Sequence, residues 1–72
     1  MKKIINKAPH YNTGSIEVID AIEAWELNFS LGSVVKYVAR AGRKDREKHV
    51  EDLEKARYYI EREIKRQRKK NK

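Results

Sequence analysis

The chain has 72 residues and no cysteine, and this combination narrows most strongly what it can fold into. A domain of this length buries only about 60% of the surface that its unfolded chain exposes, so it is marginally stable by itself. Small domains usually gain stability from disulfides, a metal or a partner chain. Disulfides and thiolate metal sites are excluded, and the presence of only two histidines disfavours a structural zinc. We therefore expect one small domain that forms a homo-oligomer and is too short to be a self-sufficient enzyme.

The hydropathy of the chain argues against a membrane protein. No apolar run approaches the ~20 residues that cross a bilayer, and the N-terminal segment does not have the pattern of a signal peptide. The lack of cysteine is compatible with a reducing compartment. We expect a cytoplasmic protein without a membrane partner.

The basic charge is concentrated at the C-terminal end. Of the net charge of +7, six positive charges belong to Lys65–Lys72, which contains no acid. Runs of like charge are usually solvated, so a solubilising helix end is the first interpretation. Contact with nucleic acid or another polyanion is the alternative.

The spacing of apolar residues predicts an all-α fold: a three-helix domain with two short helices, one long C-terminal helix and an extended N-terminal lead-in. We divide the chain into a lead-in over residues 1–14, a helical domain over 15–64 and a basic tail over 65–72. Helix one is expected to start after Gly14 or Ser15 and to end at about Glu26. Its buried stripe would be Val18, Ala21, Ile22 and Trp25.

Helix two is predicted from Leu31 to about Ala41, with Ser30 as its N-cap and Gly42 as the left-handed residue that ends it. Its buried face would consist of the apolar residues Leu31, Val34, Val35, Val38 and Ala41. A strand stays open as an alternative, because valine is a mediocre helix former. Lys36 and Arg40 fall on the side opposite the valines, which favours a helix.

Helix three is predicted to begin with Asp45 as its cap and to reach about Gln67 or beyond. Its apolar stripe would be His49, Leu53, Ala56, Ile60 and Ile64. Roughly 20 helical residues span about 30 Å, which two shorter helices cannot cover. This is a second reason to expect a partner chain.

Polar side chains gather on the side of helix two opposite the valines: Ser33, Lys36, Tyr37 and Arg40. Lys44 follows the helix end, and Gly32 lies in the first turn, where backbone amides without helical partners can face an anion. Arginine binds phosphate oxygens with two hydrogen bonds and lysine adds a point charge. The pattern predicts a phosphate site, and a solvated helix face is the alternative.

Acidic residues of helix one suggest a metal. Glu17 and Asp20 lie about 60° apart on a helical wheel, close enough to share Mg²⁺ with waters and substrate phosphates. The alternative is that these acids pair with basic residues of the other helices. In helix three, Asp52, Lys55 and Tyr59 project together, although Asp52 and Lys55 could simply form an i, i+3 ion pair.

An ordered string of motifs runs through residues 8–62. It comprises His10-Tyr11, Gly14, Ile16-Glu17-x-Ile19-Asp20, Trp25-x-Leu27-Asn28-Phe29, Gly32, Lys36-Tyr37-x-x-Arg40-Ala41-Gly42-x-Lys44 and Asp52-Leu53-x-Lys55-Ala56-x-x-Tyr59. The string resembles a short domain family that is carried largely by bacteriophages and catalogued as being of unknown function. One longer relative in that family is the nucleotide kinase of a lytic coliphage, which lacks a P-loop and phosphorylates nucleoside monophosphates.

The resemblance implies that the polar motif positions form one site for a phosphorylated nucleotide, in a protein of the host cytoplasm. The ligand-binding residues would be His10, Tyr11, Asn28, Lys36, Tyr37, Arg40, Lys44, Asp52 and Lys55, with Glu17 and Asp20 as the Mg²⁺ pair. Ser33, which shares the polar face of helix two, stands where the family is expected to prefer asparagine.

Three functions stay open. The first is a phage-encoded protein that binds a phosphorylated nucleotide, either to sequester it against host defence or within nucleotide metabolism. The second is an enzyme: a nucleotide kinase, or a Mg²⁺-dependent nucleoside triphosphate pyrophosphohydrolase, whose acidic pairs are echoed by Glu17-x-x-Asp20 and Glu51-x-x-Glu54. The third is a nucleic-acid or host-protein adaptor that uses Lys65–Lys72.

Overall fold

The computed structural model describes residues 12–13, 16–43 and 45–71. It contains two short strands and three α-helices: β1 (Asn12–Thr13), β2 (Ile16–Glu17), α1 (Val18–Ala24), α2 (Phe29–Arg40) and α3 (His49–Lys70). A 3₁₀ turn over Arg46–Lys48 leads into α3. The all-α class and the long C-terminal helix are confirmed.

Helix α1 is shorter than predicted at both ends. β2 pairs antiparallel with β1, Asn12 opposite Glu17, so residue 17 is extended and the helix starts only at Val18. At the other end, Glu26 adopts a left-handed φ of 53°, which turns the chain away from the helix. Residues 1–11 and 14, which make up most of the predicted lead-in, lie outside the described residues, as does residue 15.

Helix α2 begins earlier than predicted because Asn28, not Ser30, is its N-cap. The Asn28 side chain accepts a hydrogen bond from the backbone N–H of Leu31 at 2.9 Å. The amide of Gly32 donates to the backbone carbonyl of Asn28 at 2.8 Å, so the expectation of a Gly32 amide facing an anion is wrong. Gly42 has a φ of +75° after the helix end, which confirms its predicted left-handed role.

Helix α3 starts at His49, later than predicted, because a 3₁₀ turn separates it from Asp45. The Asp45 side chain accepts from the backbone N–H of Glu47 at 3.0 Å and so caps the 3₁₀ turn. The helix continues without a break to Lys70. The basic segment is therefore helical through Lys70 and extends α3 beyond its overlap with α2.

Helices α2 and α3 form an antiparallel pair, and the seam between them is polar. Asn28, at the start of α2, donates to Glu63 late in α3, while Arg40 at the end of α2 contacts Asp52 early in α3. Ser33, midway along α2, is also buried. We call these contacts the polar seam. The Asn28–Glu63 and Arg40–Asp52 contacts give buried polar groups of both helices a partner.

The buried face of α2 is not the predicted valine side. Its buried residues are Gly32 and Ser33, whereas Val38 is 54% exposed and the other two valines are only half-buried. The predicted stripe of α3 is also mostly uncovered, with Ala56 buried and Ile60 43% exposed. In α1, Val18 is buried as predicted, but Trp25 is 64% exposed.

Helix α1 packs on α2 where a glycine allows close approach. A Cβ on Gly32 would lie 3.1 Å from Cγ2 of Ile22, so a larger residue would push the two helices apart. Within the described residues, no helix has the length and apolar character needed to cross a membrane.

We predict that Gly42→Ala lowers the free energy of unfolding by about 1–3 kcal/mol, measured by urea denaturation. Alanine is strained at positive φ, and its Cβ would lie 2.9 Å from Nδ1 of His49. The double variant with His49→Ala is the control, because it removes the contact and leaves only the backbone cost. An unchanged midpoint for Gly42→Ala would contradict this role.

Candidate functional site

Three cationic side chains converge on the ring of Tyr37. The Nζ atoms of Lys36 and Lys55 lie 5.2 and 5.5 Å from its centroid, and Cζ of Arg40 lies 4.9 Å away. Lys36 and Arg40 follow from the i, i+4 spacing on α2, while Lys55 comes from α3. Each distance is within reach of a cation–π contact. We call Lys36, Tyr37, Arg40 and Lys55 the cation cluster.

The cation cluster is anchored by a buried ion pair. Nη2 of Arg40 lies 3.1 Å from Oδ1 of Asp52, with the two side chains only 13% and 4% exposed. Burial makes such a pair costly to break from one side, because the remaining charge would be left in a poorly solvated place. The pair therefore fixes the guanidinium beside Tyr37.

Aromatic packing holds the ring of Tyr37 in place. Tyr59 of α3 stacks on it with centroids 6.1 Å apart and an interplanar angle of 8°. Tyr59 in turn makes edge contacts with Phe29 and Tyr58, at 5.8 and 5.0 Å. The cations thus surround an aromatic platform that both helices build.

A pocket of about 200 Å³ opens beside the cation cluster, between the end of α2 and the start of α3. It is lined by three acidic and three basic side chains: Arg40, Asp45, Lys48, Glu51, Asp52 and Lys55. Glu51 lies 3.4 Å from Lys55 and 3.9 Å from Lys48, and all three are well exposed. These solvated ion pairs are weak and can yield to a ligand.

The structure brings together five of the predicted ligand residues and separates two. Lys36, Tyr37, Arg40, Asp52 and Lys55 lie at one end of the helix pair. Asn28 caps the opposite end of α2, roughly 18 Å away at 1.5 Å per residue, and Ser33 is buried midway. His10, Tyr11 and Lys44 lie outside the described residues.

Asn28 has a partner that the sequence did not suggest. Its side chain donates to Glu63 at 3.2 Å. Glu63 also accepts from the Gln67 amide at 2.7 Å and from Arg66 at 3.3 Å, and these hydrogen bonds lower the pKa of its carboxyl below the usual value. Asn28 and Glu63 therefore act together in holding α2 against α3.

The predicted metal pair loses its helical geometry. Glu17 is extended and precedes α1, while Asp20 is exposed in the first turn. The 60° separation on one wheel therefore does not describe them. Among the residues that the structure places, no three histidine, cysteine or acidic side chains are grouped closely enough to hold a metal ion.

Sequence reasoning did not assign Tyr59, Lys48 or Glu51 to the ligand site. The period of α3 carried a signal for Tyr59, since it shares a face with Asp52 at i+7. Glu51 was noted only as part of the acidic pair of a pyrophosphohydrolase, and Lys48 carried no signal, because their place in the pocket depends on how the 3₁₀ turn meets α2.

We predict that Arg40→Met destabilises the fold by about 3 kcal/mol, because it leaves Asp52 buried without its guanidinium. Urea unfolding measures this. Arg40→Met combined with Asp52→Leu should recover most of the loss, since no uncompensated charge is left. A single variant within ~0.5 kcal/mol of wild type would contradict the ion pair's role.

The family comparison agrees with the sequence string described above. The model of the protein family of unknown function DUF3310 matches residues 5–61, which include α1, α2 and the first half of α3. Searches of curated proteins and of solved structures gave no significant match. Since the family model covers well over half of the 72 residues, the chain belongs to the DUF3310 family.

Proposed function

We propose that this protein binds a phosphorylated nucleotide at the cation cluster. The observation that supports this is the convergence of Lys36, Arg40 and Lys55 on one tyrosine ring. Such an arrangement gathers positive charge where a phosphoryl group can be held.

The charge balance of the cluster favours an anion. From their distances to the ring, the Nζ atoms of Lys36 and Lys55 are at most about 11 Å apart. Two like charges ~8 Å apart repel each other by roughly 0.5 kcal/mol in water and by about 2 kcal/mol at an effective dielectric constant of 20. Asp52 offsets Arg40, and Glu51 offsets Lys55. Within the described residues, Lys36 has no acidic partner. A bound phosphate would supply the missing negative charge.

The surroundings suit a nucleotide better than a bare inorganic ion. Tyr37 and Tyr59 form an aromatic stack, and aromatic rings stack on bases of any sequence. The adjoining pocket of about 200 Å³ is smaller than the ~300–1,000 Å³ of typical ligand pockets. It would hold only part of a nucleotide, and we place the phosphates at its edge, beside Lys36, Arg40 and Lys55, with the base along the rim.

The resemblance to a phage-borne family with a nucleotide kinase among its longer relatives supports the same ligand. In a phage protein, binding would serve sequestration of a host defence nucleotide or a step of nucleotide metabolism. Mg²⁺-dependent turnover separates these roles: a sequestering protein releases no product, whereas a kinase-like enzyme does.

We predict that a mono-, tri- or cyclic nucleotide, offered with and without Mg²⁺, raises the melting temperature. Ligand at 100 times its Kd adds about 2.7 kcal/mol to the free energy of unfolding. The double variant Lys36→Gln/Lys55→Gln should bind at least ~10-fold more weakly, because charge-assisted hydrogen bonds contribute about 1.5–3 kcal/mol each.

The matched control is Lys69→Gln/Lys70→Gln, which removes the same charge from the exposed end of α3. It should keep wild-type affinity. Equal losses in both double variants would show that only overall charge matters and would contradict the proposed site. No stabilisation by any nucleotide of the panel would also contradict it.

A further inference from the structure

The helix pair has an apolar side that the chain leaves uncovered. In each helix the residues on this side follow seam residues by one position, a rotation of about 100°. In α2, Val34 and Val38 follow Ser33 and Tyr37. In α3, the corresponding residues that follow Asp52, Tyr59 and Glu63 are Leu53, Ile60 and Ile64.

These residues form one continuous surface. The two helices face each other and run antiparallel, so an equal rotation about each axis brings both sets to the same side of the pair. Gly32, which contacts Ile22 of α1, precedes Ser33 by one position and therefore points to the other side. We call Val34, Val38, Leu53, Ile60 and Ile64 the apolar face; α1 lies opposite it.

The apolar face leaves much apolar surface in contact with water, although the described part of the chain buries few apolar side chains elsewhere. Leu53, Ile60 and Ile64 are each 42–44% exposed. Among the described residues, Val18 and Ala56 are the only buried apolar ones, and they are still 7% and 4% exposed. Burial of apolar surface is the main source of folding stability, so covering this face would supply what the chain itself does not.

The distribution of charge along α3 indicates which partner covers the apolar face. Residues 49–55 contain three acidic side chains and one lysine, whereas residues 57–70 contain two acidic and seven basic side chains. A second copy of α3 in antiparallel orientation would set each acidic half against a basic half. Parallel packing would instead oppose like charges, which is unfavourable.

The register of such a pair follows from two exposed residues on or beside the apolar face, Arg57 and Glu61. Within the described part of the chain, neither forms an ion pair. Arg57 and Glu61 are centred on residue 59, and Leu53 and Ile64 are centred between residues 58 and 59. One twofold axis near residue 59 therefore pairs Arg57 with Glu61 of the second copy and Leu53 with its Ile64.

The same axis also suits α2. The ring of Tyr59 lies between Phe29 and Tyr37, so residue 59 of α3 is level with about residue 33 of α2. Val34 of each copy would then meet near the axis. We propose that two copies pack through the apolar face into an antiparallel four-helix bundle, with α3 against α3 and α2 against α2.

Analytical ultracentrifugation of the full chain at micromolar concentration tests this proposal. The wild type should sediment as a dimer and Ile60→Lys as a monomer. Ile19→Lys is the matched control: Ile19 is also an exposed isoleucine, 58% exposed, but it lies on α1 on the other side. That variant should remain dimeric.

Charge reversal tests the register without touching apolar packing. Arg57→Glu and Glu61→Arg should each raise the dimer Kd at least ~10-fold, because each opposes like charges twice per dimer. The double reversal should restore wild-type affinity. Circular dichroism shows whether each variant is folded. If Ile60→Lys does not fold, the exposed charge variants still test whether the chain dimerises through the apolar face.

Three results would overturn the proposal. The first is a wild-type chain that stays monomeric, which would assign the apolar face to a different partner. The second is a dimer that Ile60→Lys leaves intact. The third is a double charge reversal that remains as weak as the single variants, which would exclude the antiparallel register.

Discussion

The polar seam between α2 and α3 is the constraint on which the rest of the structure depends. Asn28 with Glu63 fixes one end of the helix pair, and Arg40 with Asp52 fixes the other. Hydrogen bonds are directional, so these contacts set the register and the facing sides of both helices. Because the polar sides face inward, the cations gather around Tyr37 and the apolar side points outward.

Local signals in the sequence predicted local structure well. Gly42 follows α2 in the left-handed region, as its residue type suggested, and Asp45 is a cap, although of the 3₁₀ turn before α3 and not of α3 itself. The predictions that were wrong depended on partners elsewhere. β1 holds residue 17 extended, and Asn28 competes successfully with Ser30 as the N-cap. Neither competition is visible in the residue pattern of one helix.

Periodicity also found the two sides of α2 but not which one is inside. An apolar stripe normally packs inward, and this expectation placed Val38 in the core and Arg40 outside. The structure shows the opposite because α3 offers a carboxylate, Asp52, to satisfy the guanidinium. Of the predicted site, Lys36, Tyr37 and Lys55 come together at the same end, since their spacing places them on the seam side of each helix.

The two proposed surfaces occupy different sides of one helix pair, so each can be disturbed without the other. We propose that the cation cluster, and not the basic end of α3, binds the nucleotide. Nuclear magnetic resonance titration with a nucleotide tests this most directly. We expect the largest shifts at the Tyr37 and Tyr59 rings and at the side chains of Lys36 and Lys55. Shifts confined to residues 65–72, or none at saturating nucleotide, would contradict the account.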